Sequence, residues 1–588
     1  MAGADRSEIE RPVSGNQYPA GWGSDAVAEV LRDLDVEYIA MVPGASYRGL
    51  QDSLVNFLGN QRPQMLVCLH EEHSVAIAHG YAKVAGRAMA AGLHSNVGLM
   101  HASMAIFNAY CDRVPVLMLG ATGPVDAMQR RPWIDWIHTS RDQGALVRPY
   151  VKWDDQPASP AAAVESVLRA WQLIHAAPNG PAYICLDVAD QERALDAPLA
   201  IPDVSKFRPA PAPVASPTDV AAAAALLTSA SKPVILAGRA SRSPEVWSAK
   251  IALAEALGAR VITDMKTGAS FPNQHPLHVG GASQFLSADQ KAVLAEADVV
   301  LSLDWIDLMG SLRQSLPSGA PFPKIVNATL DDHMVNGWNY DHFAVPPADV
   351  RLSCAADVAV ELLCQELAIT ARSEATVSPE PASPAGDTLD LAFLAKSLAV
   401  AAHGHTTTYI RFPLGWASEV IPFDEPLSYL GGDGGAGIGS GPGLAVGAAL
   451  ALEGLKRLPI AVLGDGDFIM GASAIWTAAH YRIPLLVIVS NNQSYFNDET
   501  HQENMAIARG RPVENRWIGQ RLDQPPVDIS ALARSFGAQS PAPVTETAEL
   551  QGALAKAVEA VENGALYVLD VRVRAGYASA MPATNDET

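Results

Sequence analysis

Between Ala461 and Asp498 the chain reads AVLGDGDFIMGASAIWTAAHYRIPLLVIVSNNQSYFND, a pattern that few folds can accommodate. An apolar run stops at Gly464-Asp465-Gly466 and a helical segment follows to about Tyr481. Pro484 ends that segment, and a second apolar run, LLVIVS, stops at Asn491-Asn492. The pattern predicts a βαβ unit with oxygen-bearing side chains at both strand ends. A right-handed crossover brings the carboxyl ends of parallel strands to one sheet edge, so Asp465 and Asn492 are expected to converge. A carboxylate and an amide oxygen suit a hard cation such as Mg²⁺, whose shell is completed by backbone, water and phosphate oxygens. The glycines flanking Asp465 let a phosphate approach the backbone, and the start of the next helix favours an anion. The expected ligand is a diphosphate clamped by Mg²⁺.

Gly-Asp-Gly followed, across a helix and a strand, by Asn-Asn resembles the fingerprint of the thiamine-diphosphate (ThDP) enzymes. By that resemblance Asp465, Asn492 and the main-chain oxygen of Ser494 hold the metal, and Gly464, Gly466 and Asp467 lie beside the diphosphate. Upstream, GGDGGAGIGSGPGLAVGAAL is dense in glycine, as expected where backbone packs on a flat cofactor. Family members carry a bulky aliphatic residue there that wedges the two cofactor rings into a bent shape, and the match falls on Ile438.

A chain of 588 residues is too long for one core. Its hydrophobic share of 49% and charged share of 18% suit a soluble globular protein, and a formal charge of −22 disfavours nucleic acid as a partner. The five cysteines (Cys68, Cys111, Cys185, Cys354 and Cys364) lie far apart and form no Cys-x-x-Cys. They fit buried thiols of a reducing compartment. The start, MAGADRSEIERP, lacks the order of a signal peptide, and no apolar run approaches the ~18 residues of a membrane helix. The expectation is a cytoplasmic protein with no membrane partner.

Along the chain, DAVAEVLRDLDV reads as an amphipathic helix and VEYIAMVPGAS as a strand entering a glycine turn. QMLVCLH, AAGLHS, PVLMLGAT and AYICLDV are short apolar runs suited to a parallel sheet buried on both faces. Ile201 to Pro217 and Ser373 to Asp387 are proline-rich and read as linkers. They divide the chain into residues 1–200, 218–372 and 388–588, with linkers 201–217 and 373–387. The expected fold is α/β, with three doubly wound parallel-sheet domains. This order resembles the pyrimidine-binding, central and diphosphate-binding domains of the ThDP decarboxylase and acetolactate synthase group.

In that superfamily a glutamate hydrogen-bonds the aminopyrimidine ring and helps remove the thiazolium C2 proton. The motif carrying it resembles LHEEHSVAIAHGYA here, which places the role on Glu71, with Glu72 the neighbour that a one-residue slip would promote. Glu71 follows a strand and opens a helix, at the sheet edge where α/β proteins bind ligands. The other reading of both carboxylates is as helix-start acids offsetting the dipole. The line AGLHSNVGLMHASM resembles benzoylformate decarboxylase in its Leu-His-Ser, where the histidine faces the substrate, and His94 takes that position. An imidazole near C2 could move a proton there or stabilise an alkoxide. His73 and His101 read more readily as packing residues. After Asn492 a long polar stretch runs to Asp528, with Tyr495, Phe496, His501 and Trp517 either lid contacts or part of a surface excursion.

The chain departs from the pattern in three places. Many relatives have Glu-Gln where Glu71-Glu72 stand, and Gly-Pro-Gly where Asn96-Val97-Gly98 stand. Ala45 replaces a serine that benzoylformate decarboxylase uses near the substrate carboxylate, with Ser46 the available substitute. In the central block LSLDWIDL stands where flavin-binding acetolactate synthases carry an Arg-Phe-Asp-Asp-Arg-like run, so no flavin is predicted.

The expected function is Mg²⁺- and ThDP-dependent cleavage or formation of a C–C bond on a 2-oxo acid or related ketone, by a decarboxylase or acetolactate synthase-like carboligase. The alternatives are a 2-hydroxyacyl-CoA or acyloin lyase, the CoA version needing a basic groove, and a non-catalytic ThDP-binding protein. In the family Glu71 and the metal motif face each other across a subunit boundary, which implies a homodimer or a tetramer.

Overall fold

The computed structural model describes residues 9–13, 18–334, 344–370 and 380–579. Most of the first 17 residues and the first half of the second linker lie outside these residues.

Three parallel sheets carry the chain. The first contains β1 (Tyr38–Met41), β2 (Gln64–Val67), β3 (Met89–Leu93), β4 (Val116–Thr122), β5 (Trp153–Asp155) and β6 (Ala182–Asp187), in the order β2-β1-β3-β4-β6-β5. The second contains β7 (Pro233–Ala237), β8 (Arg260–Ile262), β9 (Val299–Leu303), β10 (Lys324–Ala328) and β11 (Val350–Leu352), in the order β11-β10-β9-β7-β8. The third contains β12 (Thr407–Arg411), β13 (Leu458–Gly464), β14 (Leu485–Asn491) and β15 (Leu566–Arg572), in sequence order.

Both faces of the third sheet are covered, as its nearly unbroken apolar strands require. Alternate residues feed opposite cores: Ile460, Val462, Leu486 and Ile488 pack with helices Leu391–Ala402 and Thr547–Glu562. Ala461, Leu463, Val487 and Val489 face the other way. That second core also holds Leu66, Val75, Ile77 and Met89 from the first domain, so the first and third domains share one hydrophobic interior.

The contact is made by two helices, Glu71–Ala85 and Gly441–Leu452. A Cβ on Gly80 would collide with the Leu444 carbonyl, and one on Gly447 with the Ile77 carbonyl. Glycine here lets two backbones touch, which larger residues would forbid. His73 Nε2 and Ser473 Oγ, 2.8 Å apart, add a polar tie, and Thr477 Oγ1 donates to the Val67 carbonyl at 2.9 Å.

Two expected elements differ. The helix expected from the Gly-Asp-Gly turn to Tyr481 is broken into Asp465–Gly471 and Ala474–His480. At the break, Gly471 is pressed against the Gly439 carbonyl and the ring of Pro442, so the glycine-rich loop interrupts the helix. The polar stretch after Asn492 contains a helix, Phe496–Ala508. Only Glu499 of that helix is buried, which explains why no apolar periodicity announces it. Among the described residues no helix is long and apolar enough to cross a membrane.

Candidate active site

Strands β13 and β14 pair in parallel with Gly464 opposite Ser490, which delivers Asp465 and Asn492 to one edge. Asp465 is 3% exposed, and its Oδ2 is buried without a hydrogen-bond partner. Burial pushes this carboxyl up to about 6, against the pull of the backbone N–H groups of Gly466, Gln493 and Ser494. Gln493 sits at φ +58°, which turns successive N–H groups toward that carboxylate. Asn492 Oδ1 accepts the Ser494 N–H at 2.9 Å. The Ser494 hydroxyl donates to Glu499 Oε1 at 2.5 Å, and Arg521 Nε holds the same carboxylate at 3.1 Å. Asn491 instead serves the fold: its Nδ2 donates to Asp570 Oδ1 at 2.9 Å.

A buried carboxylate oxygen without a partner, beside an amide oxygen, is a pair of oxygen donors of the kind that a hard cation takes, while the turn of N–H groups orients the carboxylate. Space is open beside Gly464, whereas Gly466 lies under the ring of Tyr495. Asp467 is turned away from this space. Its Oδ1 accepts the N–H groups of Gly439 at 2.6 Å and Gly441 at 3.2 Å, and its Oδ2 faces Arg411 Nε at 3.4 Å. Arg411 also pairs with Asp433, so both ends of the glycine-rich loop are tied to one guanidinium. The loop presents Ile438 at 45% exposure.

The loop runs along the first-domain helix Ser95–Cys111: Gly435 lies against Phe107 and Asn108, and Gly437 against Met104. The loop thus runs back toward the first turns of that helix, where Glu71 lies. Glu71 is 6% exposed, and its Oε2 stands 3.0 Å from His101 Nδ1. A Cβ on Gly98 would come within 2.9 Å of Glu71 Cγ, so only glycine fits beside the carboxylate. Glu72 points elsewhere, its Oε1 lying toward Gly439; burial, then the charge of Asp467, raises its pKa. The neighbours therefore separate, with Glu71 facing His101 and Glu72 facing the loop.

His94 directly follows β3, and Ser95 after it is held at φ +46°, a strained conformation of the kind that clusters at functional turns. His94 Nδ1 and Ser46 Oγ share a 2.8 Å hydrogen bond. The His138 ring meets His94 edge-on at 4.9 Å. Burial, then His138, lowers the His94 pKa and keeps the imidazole neutral near pH 7. His138, Arg411 and Glu499 belong to no motif and are found only from the structure.

The other candidates fall outside this cluster. Phe496 packs on Tyr577, His501 bonds Asn497, and Trp517 lies under the Arg521 guanidinium. His73 is buried and engaged with Ser473.

Two domains of this geometry, one presenting a buried glutamate and the other a cation-ready Asp/Asn edge with an aliphatic loop, define a cofactor-binding enzyme class. The chain belongs to the thiamine pyrophosphate enzymes: residues 21–146 match their N-terminal TPP binding domain, 220–340 the central domain and 413–571 the C-terminal TPP binding domain. It is 26% identical over 511 residues to benzoylformate decarboxylase of Pseudomonas aeruginosa, covering 84% of this chain and 89% of that protein. It is 23% identical over 542 residues to acetolactate synthase of Bacillus subtilis, covering 88% and 87%. The fold is that of benzoylformate decarboxylase from Polynucleobacter necessarius, with a TM-score of 0.75 at 20% identity over 95% of this chain and 100% of that one.

Proposed function

We propose that the chain is a Mg²⁺- and ThDP-dependent 2-oxo acid decarboxylase or carboligase, resembling acetolactate synthase in its chemistry. The observation that carries the Mg²⁺ part is the buried, unpartnered Oδ2 of Asp465 on the edge it shares with Asn492. Asp465, Asn492 and the main-chain oxygen of Ser494 would hold the metal and, through it, a diphosphate. Asp467 and Arg411 fix the loop that carries Ile438, which would pack against the cofactor rings. Glu71 would hydrogen-bond a ring nitrogen of the aminopyrimidine and hold or give up a proton at its carboxylate there. His94, neutral and oriented by Ser46, is placed to give or take a proton at a substrate oxygen. Bound ThDP supplies the carbon nucleophile and the electron sink for the broken C–C bond.

A CoA-thioester substrate is less well supported. A cavity of about 420 Å³ at the edge of the central sheet is lined by Lys83, Arg113, Arg239 and Arg242, but these cations are already engaged. Lys83 is paired with Asp112, Arg113 with Asp304 and Asp331, Arg239 with the Cys111 carbonyl, and Arg242 with the Pro426 and Leu430 carbonyls. These partners take up N–H donors that phosphates would need, and the three carboxylates among them offset most of the positive charge.

Exposed Met100, Met104, Ile438 and Met470 around the site fit burial in a homodimer, with tetramers built from it. Five free, buried cysteines fit a reducing, cytoplasmic setting. The test is a panel of 2-oxo acids, acyloins and 2-hydroxyacyl-CoAs, followed by CO₂ and aldehyde release. The proposal expects turnover of a 2-oxo acid that needs both ThDP and Mg²⁺, and a Glu71→Gln variant that binds ThDP yet loses at least ~100-fold in rate. Turnover without ThDP, or undiminished in the variant, would overturn it.

A further inference from the structure

The turn that follows β14 has to aim two oxygens at one cation, and its backbone is pinned by its neighbours. Asn492 Oδ1 accepts the Ser494 N–H at 2.9 Å, which couples the two expected ligands. Ser494 and Arg521 form an antiparallel bridge, in which the Tyr495 N–H donates to the Gln520 carbonyl at 3.0 Å and the Leu522 N–H to the Gln493 carbonyl at 2.8 Å. The helix Phe496–Ala508 begins its ladder at the Tyr495 carbonyl, which takes the N–H groups of Asp498 at 2.9 Å and Glu499 at 3.1 Å. That ladder leaves the Ser494 carbonyl out.

The last hold on the turn is Glu499. The Ser494 hydroxyl donates to its Oε1 at 2.5 Å, Arg521 Nε donates to the same oxygen at 3.1 Å, and Arg516 Nε stands 3.8 Å from its Oε2. One carboxylate thus clasps both sides of the Ser494–Arg521 bridge. An acid in the first turn of a helix often does no more than offset the dipole from the solvent side. Glu499 is turned inward instead, the one buried residue of its helix.

We infer that Glu499 is a positioning residue of the metal site, holding the Ser494 turn so that its carbonyl meets the geometry that Mg²⁺ demands. This role rests on the metal site proposed above. Glu499 acts through Ser494, because its nearer oxygen is already shared by a hydroxyl and a guanidinium. Mg²⁺ requires near-octahedral ligands at short distances, whereas Ca²⁺ accepts more oxygens in looser arrangements. A stiff turn therefore favours Mg²⁺, and loss of the clasp weakens Mg²⁺ more than Ca²⁺. Groups that orient a metal ligand change affinity by roughly 10–100-fold when they are removed.

The experiment titrates MgCl₂ and CaCl₂ separately, by isothermal calorimetry, into the full-length protein with ThDP in excess. Wild type and Asp465→Ala come first: a cation bound by the former and lost from the latter supports the metal site. A wild type that binds neither cation, or an Asp465→Ala variant that binds as well, refutes that site without reference to Glu499. Next come Glu499→Ala, Ser494→Ala, which keeps the main-chain oxygen but drops the hydroxyl, and the double variant. The expected result is Mg²⁺ affinity down at least ~10-fold in each single variant, Ca²⁺ affinity within about 3-fold of wild type, and no further loss in the double variant. Wild-type Mg²⁺ affinity in Glu499→Ala overturns the inference. So do equal losses for the two ions, which would give Glu499 a role in the stability of the fold alone, and losses that add in the double variant, which would separate it from Ser494. If Glu499→Ala does not fold, the two affinities of Ser494→Ala decide in the same sense.

Discussion

Ser46 Oγ and His94 Nδ1, 48 residues apart in sequence, meet at 2.8 Å where β3 ends. The serine is one position away from the place where the resemblance looks for it, and the 3-10 turn Ala45–Tyr47 brings its hydroxyl to the imidazole. If Ser46 acts by orienting His94, its loss forfeits one hydrogen bond, about 1 kcal/mol, or roughly 5-fold in kcat/KM. His94→Ala should cost ~100-fold or more. In the double variant Ser46→Ala should add nothing, and steady-state kinetics on the four proteins closes that cycle. Additive losses would mean that Ser46 touches the substrate independently.

The crossing of the Glu71 and Gly441 helices predicts a sharp contrast among glycines. Gly80→Ala or Gly447→Ala puts a methyl group into a carbonyl oxygen of the facing helix, at a cost of about 1–3 kcal/mol. Gly552→Ala, in the middle of an exposed helical turn with nothing within 4 Å, should stabilise by up to ~1 kcal/mol. Urea midpoints of the three variants should therefore move in opposite directions.

Acid should loosen the contact between the same two domains. Burial, then His70, lowers the His73 pKa to about 4, from 6.5 in an unfolded chain. Between those values the unfolded chain binds more protons, so stability falls as pH drops through the window, by up to about 3 kcal/mol. His278, lowered to about 4 by burial, adds a similar loss. His73→Gln should keep the His278 slope but flatten the rest, seen as a smaller change in Tm between pH 7 and pH 4.5.

The apolar side chains around Ile438 predict association. Sedimentation should give a dimer or tetramer at micromolar concentration, and Met100→Glu, on the exposed face of the Ser95 helix, should weaken assembly and activity together. An active monomer at high dilution would contradict this.

The legible parts of this molecule were the ones encoded over short spans. The Gly464–Asn492 unit announces itself because two apolar runs end in turn residues, and parallel pairing makes those ends neighbours. Glu71 is readable as the first residue of a helix after a strand. What Glu71 touches is not, since His101 stands 30 residues away on another helix. Asp467 looks like a ligand by its place in the motif, but contacts 26 and 28 residues upstream turn it into the tether of the Ile438 loop. The Phe496–Ala508 helix escapes detection because it buries one carboxylate and no apolar stripe.

The central claim is that one sheet edge grips a metal-bound diphosphate while a glutamate from the first domain meets the ring at the other end of the cofactor. A crystal structure of the protein with ThDP and Mg²⁺ tests it most directly. The account predicts Mg²⁺ bound by Asp465, Asn492 and the Ser494 carbonyl oxygen, with a pyrimidine nitrogen within hydrogen-bond distance of a Glu71 carboxylate. Metal bound elsewhere, or a pyrimidine ring facing any other acid, would contradict it.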